Sequence, residues 1–260
     1  MSRIDYDNMK ALNYSGAKEL LKSPSHYQAW LTAEKEETDA LRIGRLVHLA
    51  SLEPQKFDAI VRVAPEGDRR KTENKAIYAA FEATLKEGDE VIKKKELDLV
   101  LGVAESAQLG IETIAAGKTR VRVMEQVVTG KCEGIDIKGR PDLILHGDGE
   151  SIVVDVKTTQ SASPEAFAKD ILKYRYHLQA AFYMAMTGAK EFYFVAVEKK
   201  PPFAWAIYTL DEAALEQGRA MMKSACLTYR ECSLYNTWPG YSNKPQTLSL
   251  PKWAHFDEES

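Results

Sequence analysis

Over roughly the first 120 residues, apolar side chains recur at the spacing of helices. Ser15 stands where it can cap a helix over Gly16–Lys22, which Pro24 interrupts. Thr38 or Asp39 can open a second helix through Leu41, Leu46, Val47 and Leu49, closed by Glu53-Pro54. The same spacing predicts helices over Asn74–Lys86 and Lys94–Ala116, with a short strand over Lys56–Ala64. From Val121 the period shortens to two and β-branched residues become frequent, predicting strands over Val121–Val128, Gly134–Leu145 and Ile152–Thr158. Ser163-Pro164-Glu165 is a strong helix start, and that helix is predicted to run to Thr187 with Gly188 as its stop. Glu191–Lys199 and Phe203–Leu210 read as a strand pair around Pro201-Pro202, and Asp211 opens a last helix to about Leu234. The pattern predicts one α/β domain over residues 1–260: a mainly helical part (1–120), a mixed core (121–234) and a tail (235–260) whose aromatics suggest that it packs on the body.

Within the core, GRPDLILHGDGESIVVDVKTT places charge where its neighbours look buried. Asp148-Gly149 is a favoured two-residue hairpin turn. If Gly147 pairs with Glu150, each outward step pairs the next two residues, and Asp142 falls opposite Asp155 with Cβ atoms about 5 Å apart. Lys157, two residues on, shares that face, whereas Val154 and Val156 point into a core. Facing carboxylates repel unless a proton or a cation sits between them. Hard oxygen ligands favour Mg²⁺ or Mn²⁺, and a lysine there can orient or deprotonate a water, or stabilise developing charge. A plain ion pair of Asp155 or Asp142 with Lys157 is the alternative, and a two-residue register shift would spoil the pairing.

Other residues bear on that choice. Glu125 on the preceding strand could supply a third carboxylate or be merely exposed. His48 lies between Val47 and Leu49 on its helix, as a ligand or an ordinary helix histidine. Gln179 and Tyr183, four apart, share one helix face.

Composition narrows the class. The chain is 45% hydrophobic and 28% charged, an ordinary globular balance. No apolar run approaches the roughly 20 residues a membrane helix needs, and the N-terminus shows no signal-peptide pattern. Cys132, Cys226 and Cys232 are scattered, pointing to a reducing cytoplasm rather than a disulfide framework, and they are too few for a four-cysteine iron–sulfur cluster. A net charge of −3 argues against a general nucleic-acid coat protein. It leaves room for an enzyme with basic residues confined to one groove, such as Asp68-Arg69-Arg70-Lys71 or Lys173, Arg175 and His177, unless these are solvated helix faces.

Together Pro141-Asp142 and Asp155-Val156-Lys157, with 12 residues between the aspartates, resemble the PD-(D/E)xK nuclease superfamily. Gly44-Arg-Leu-Val-His48 and Gln179-Ala-Ala-Phe-Tyr183 resemble the additional motifs of its RecB-like branch. LNYSGAKELLKSPSHYQAWL, RIGRLVHLASLEPQKFD, the hairpin, YHLQAAFYM and WPGYSNKPQTLSLPKWA are similar, in that order, to RecE-type (exonuclease VIII) exonucleases of phages and prophages. The resemblance implies a restriction-endonuclease-like core, a mixed sheet flanked by helices. It implies an Mg²⁺-dependent exodeoxyribonuclease, with Mn²⁺ as substitute, that resects the 5′ strand of linear double-stranded DNA. It further implies a ring-shaped homotetramer, a single-strand annealing protein as partner, and the cytoplasm of a bacterial host. By the same resemblance His48, Asp142, Asp155 and the Val156 carbonyl bind metal, and Lys157 positions the attacking water. Glu125, Gln179 and Tyr183 belong to the site, the last two also touching DNA, and Ser15 and Arg45 meet a terminal phosphate. The alternatives are an endonuclease of the same superfamily or an inactive DNA-binding module with the same fold.

Overall fold

A computed structural model describes residues 3–34, 36–116, 121–147 and 149–251. The N-terminal part is helical: α1 (Arg3–Asn8), α2 (Tyr14–Leu20), α3 (Pro24–Thr32), α4 (Asp39–Leu52) and α5 (Pro54–Ile60). Two three-residue strands, β1 (Val61–Val63) and β2 (Glu90–Ile92), pair in parallel around α6 (Thr72–Glu82), and α7 (Lys94–Ala115) follows. The core comprises β3 (Val121–Met124), β4 (Val128–Cys132), β5 (Ile135–Gly139), β6 (Leu143–Gly147), β7 (Glu150–Thr159), α8 (Pro164–Tyr174), α9 (Tyr176–Thr187), β8 (Glu191–Glu198), β9 (Trp205–Tyr208) and α10 (Glu212–Tyr235). Five strands form a mixed sheet in the order β3-β6-β7-β8-β9, parallel only between β7 and β8. β4 and β5 form a separate ribbon.

Alternation along β7 sorts the core into two layers. Ile152, Val154 and Val156 join Val195 and Val197 on one face, under Leu46 and Val47 of α4 and Val100, Val103 and Ala107 of α7. Val153 points the other way, with Phe192 and Phe194 of β8, against Leu178 and Phe182 of α9 and Cys226 of α10. Helices on both faces of one sheet make the α/β architecture that the pattern predicted. Among the described residues, no helix is long and apolar enough to cross a membrane.

The departures from expectation have local causes. Asn13, not Ser15, caps α2, its side chain accepting the Gly16 N–H at 2.7 Å. α2 and α4 end ahead of Pro24 and Glu53-Pro54 as expected, and each proline also opens the next helix, as Pro at the first helical position does. Only Val61–Val63 of the strand predicted over Lys56–Ala64 is extended. The strand predicted over Val121–Val128 breaks at Glu125, whose φ is 52°. The one predicted over Gly134–Leu145 breaks at Arg140–Asp142, where Pro141 has no N–H to give a ladder. The long helix predicted after Ser163 is two helices, parted at Arg175 with φ 58°. No glycine or proline marks that break. Arg175 spends its guanidinium on the Lys18 carbonyl at 3.2 Å, and the Tyr14 hydroxyl donates to the Tyr174 carbonyl, so tertiary contacts end the helix. In the tail, Trp238 packs on Tyr27 and Tyr229, whereas Tyr241 to Pro251 is exposed and residues 252–260 lie outside the described residues.

Candidate active site

The hairpin has the register that the turn predicted. Gly147 pairs with Glu150, and the ladder runs outward to Leu143 opposite Val154. Gly149 has φ 75°, which favours glycine in such a turn, while Asp148 lies outside the described residues. One step beyond Leu143 the strands part. There Asp142 accepts the Val156 N–H on Oδ2 at 2.8 Å, bridging the hairpin by side chain instead of ladder. Its own carbonyl accepts the Glu125 N–H at 3.0 Å, which fixes the end of β3 against the same point.

Three more elements converge there. His48 of α4 sets Nδ1 at 3.3 Å from Asp142 Oδ1. Glu125, in its left-handed conformation, turns back toward the same cluster, so one ligand atom each of His48, Glu125 and Asp142 lies within 4.8 Å of the others. Asp155, only 1% exposed, stands beside this trio with partners of its own. Its Oδ1 accepts from Gln179 Nε2 at 3.0 Å, and its Oδ2 lies 2.5 Å from Lys157 Nζ as an ion pair. Both possibilities left open by the sequence are therefore present, an ion pair and a cluster of potential ligands. Tyr183 sits one turn beyond Gln179, its hydroxyl 3.4 Å from the Arg140 carbonyl. Val156 buries its side chain and contributes its N–H.

The remaining candidates are placed differently. Arg45 lines the same cleft but is paired with Glu37, at 2.8 Å, and with Glu90. Ser15 lies in the first turn of α2 and does not itself line the cleft. Arg69 and Arg70 pair with Glu82 and Asp68, as a solvated face does. His177 is buried, with Nε2 3.1 Å from Met221 Sδ, and so leaves the basic group that the sequence suggested. Two residues escaped the sequence reading. Arg140 Nε lies 2.8 Å from Glu125 Oε2, and Lys157 Nζ lies 4.5 Å over the Tyr176 ring. Adjacency to Pro141-Asp142 was the available signal for Arg140, and helical spacing from Gln179 was the signal for Tyr176.

The charges are tightly coupled. Burial alone would lower the His48 pKa, but Asp142 reverses this and lifts it to about 9. Burial works against ionised Asp142, yet His48, Lys157 and the Val156 N–H hold its pKa below the ordinary value. Burial raises Asp155, and Asp142 adds to this against the pull of Lys157. Burial, reinforced by Asp142, lifts Glu125 to about 7. Lys157 would lose its proton more easily from burial alone, but the two aspartates raise its pKa. A divalent cation fits this donor set. Two carboxylates and an imidazole converge with Asp155 beside them, and Gln179 leaves a buried Oε1 without a hydrogen-bond partner next to Asp155.

Comparison with known proteins agrees with this geometry. Residues 13–251 match the family model described as a PDDEXK-like domain of unknown function (DUF3799). The chain belongs to this family. The sequence matches no curated protein. A candidate exonuclease from Eubacterium rectale superposes with a TM-score of 0.62 at 15% identity, covering 96% of this chain and 95% of that one, which shows a shared fold. A phage-related exonuclease from Haemophilus somnus gives 0.37 at 11% identity, covering 87% and 96% of the two chains. An alkaline exonuclease from Laribacter hongkongensis gives 0.36 at 12% identity, covering 89% and 94%.

A pH dependence follows from the coupled charges of this PDDEXK-like site. From the ordinary carboxylate range up to about pH 9, the folded chain holds protons on Asp155, Glu125 and His48 that the unfolded chain releases. Fewer protons bound when unfolded means that stability falls as pH rises through that window. Thermal unfolding without divalent cations should show Tm dropping by roughly 5 °C between about pH 5.5 and 8.5. Added Mn²⁺ displaces those protons, so its stabilisation should be larger at the upper end. A flat or rising Tm, or a cation effect greatest at low pH, would contradict these assignments.

Proposed function

We propose that this protein is a metal-dependent exodeoxyribonuclease acting on linear duplex DNA. The carrying observation is the hairpin register, which sets Asp142 beside Asp155-Val156-Lys157, while Asp142 joins His48 and Glu125 in lining a cleft of about 1100 Å³. In this reading His48, Asp142 and Asp155, with the Val156 carbonyl and Glu125, hold Mg²⁺, for which Mn²⁺ substitutes. When bound, the ion supplies charge against the phosphoryl oxygens and lowers the pKa of a coordinated water. Lys157, kept as an ammonium by its two aspartates, donates hydrogen bonds that orient the attacking water and offset charge growing on the phosphoryl group. Gln179 fixes the rotamer of Asp155, and Tyr183 braces the loop before Asp142. Water adds to phosphorus, the 3′ oxygen leaves, and a 5′-phosphate nucleotide is released.

The finer reading rests on the family resemblance of the ordered motifs. It is resection of the 5′ strand by a ring of four chains, which leaves a 3′ overhang for a single-strand annealing protein in a bacterial cytoplasm. Ser15 and Arg45 would meet the terminal phosphate, Arg45 by exchanging its carboxylate partners for it.

Linear duplex labelled at one 5′ end and a closed circle, each incubated with protein and Mg²⁺, test both levels. Early loss of the 5′ label with the circle intact is expected. Asp155→Asn and Lys157→Ala should each lower the rate by about a hundredfold or more while DNA is still bound. A cut circle would replace the exonuclease with an endonuclease, and no cleavage with Mg²⁺ or with Mn²⁺ in its place would remove the nuclease. Sedimentation of the same sample should give the mass of four chains, and a monomer on DNA would remove the ring.

A further inference from the structure

An aromatic stack runs out of the core into the cleft. Phe194 and Phe167 pack on Tyr176 with ring centroids 5.7 and 6.1 Å away. Tyr176 in turn stacks on Tyr174 at 5.5 Å and 27°. The stack ends there. Tyr174 is 40% exposed, unusual for the last ring of a buried series, and it lines the cleft that holds His48 and Asp142. The backbone that carries the ring is fixed, because the Tyr14 hydroxyl donates to the Tyr174 carbonyl and the helix ends in the left-handed Arg175.

Positive charge accompanies it. Lys173 Nζ lies over the Tyr174 ring, 5.0 Å from its centre, and Lys157 Nζ lies over that of Tyr176 at 4.5 Å. Lys173 and Lys199 line the cleft, and among the described residues neither forms an ion pair with a carboxylate. The acid nearest along the helix, Asp170, is engaged by the Thr159 hydroxyl at 2.7 Å. A cation-flanked ring that ends a rigid stack is the arrangement that holds a nucleobase by its face. The faces of a duplex base are already covered by its neighbours, so this ring selects a base that is unpaired and unstacked.

We propose that Tyr174 is the platform of a subsite for an unpaired nucleobase, with the flanking phosphates along Lys173 and Lys199. This rests on the nuclease reading and deepens it. The strand entering the acidic cluster is single-stranded there, held beside Lys157 through the Tyr174–Tyr176 stack, and the duplex frays before it reaches the site.

Binding without divalent cations tests the subsite apart from catalysis. The full chain is titrated onto a labelled run of about eight thymidines, onto the same run with one abasic position moved along it, and onto a blunt hairpin duplex. For wild type, one abasic position should weaken binding about tenfold. Tyr174→Ala should weaken the intact run about tenfold and erase that abasic penalty, while Tyr174→Phe keeps both affinity and penalty. The blunt duplex should change less than about twofold in Tyr174→Ala, a readout that a merely structural role would not spare. No abasic penalty in wild type, an unchanged Tyr174→Ala, or equal losses on run and duplex would overturn the subsite. Cleavage of linear duplex without an abasic penalty would sink the subsite and leave the nuclease standing. A penalty that Tyr174→Ala removes, in a protein that cleaves nothing, would do the reverse.

Discussion

Asp142 carries the constraint on which the site depends. It is 8% exposed, and an ionised carboxylate at that depth is costly without partners. Two elements offset that cost, the Val156 N–H on the facing strand and His48 on α4, with Lys157 adding positive charge, while the Asp142 backbone carbonyl accepts the Glu125 N–H and ties down the end of β3. Removing either donor leaves the carboxylate with too few partners. The same residue sits where β6 and β7 separate, so the hairpin opens at the point where its side chains begin to serve chemistry instead of packing. Val154 and Val156 hold the opposite face in the core and keep Asp155 and Lys157 from rotating away.

The hairpin was legible from sequence because a two-residue turn leaves no freedom of register, and alternation then settles which face each side chain takes. The helices α4, α7 and α10 were legible for a similar reason, long periodic stretches with clear starts such as Thr38 and Asp211. The helix break at Arg175 was not, since a bond to the Lys18 carbonyl 157 residues away sets it. Nor was the turn at Glu125, where a left-handed glutamate replaces an expected run of strand. That backbone is what brings Glu125 to His48 and Asp142, so the least legible residue of the hairpin region is also one of the potential ligands. Arg45 shows the limit of charge counting. It reads as a surface charge along the chain, and Glu37, eight residues before it, and Glu90, 45 residues after it, claim it in the fold.

The sheet therefore has a division of labour. One face is a mainly aliphatic layer under α4 and α7, and the other carries aromatic rings that pass from Phe194 through Tyr176 to the cleft. The ionisable cluster lies between them, with Lys157 touching both the Asp155 carboxylate and the ring stack. Its ion pair with Asp155 offsets part of the charge repulsion between the aspartates before a divalent cation enters.

The central claim is that this cluster holds a divalent cation around Asp142 and His48. Anomalous scattering from crystals soaked in Mn²⁺ tests it most directly. The account predicts a peak in the cleft within coordination distance of both residues, with Asp155 or Glu125 completing the shell. A fully soaked crystal without a peak touching Asp142, or with His48 still paired to it and the ion bound elsewhere, would contradict the account.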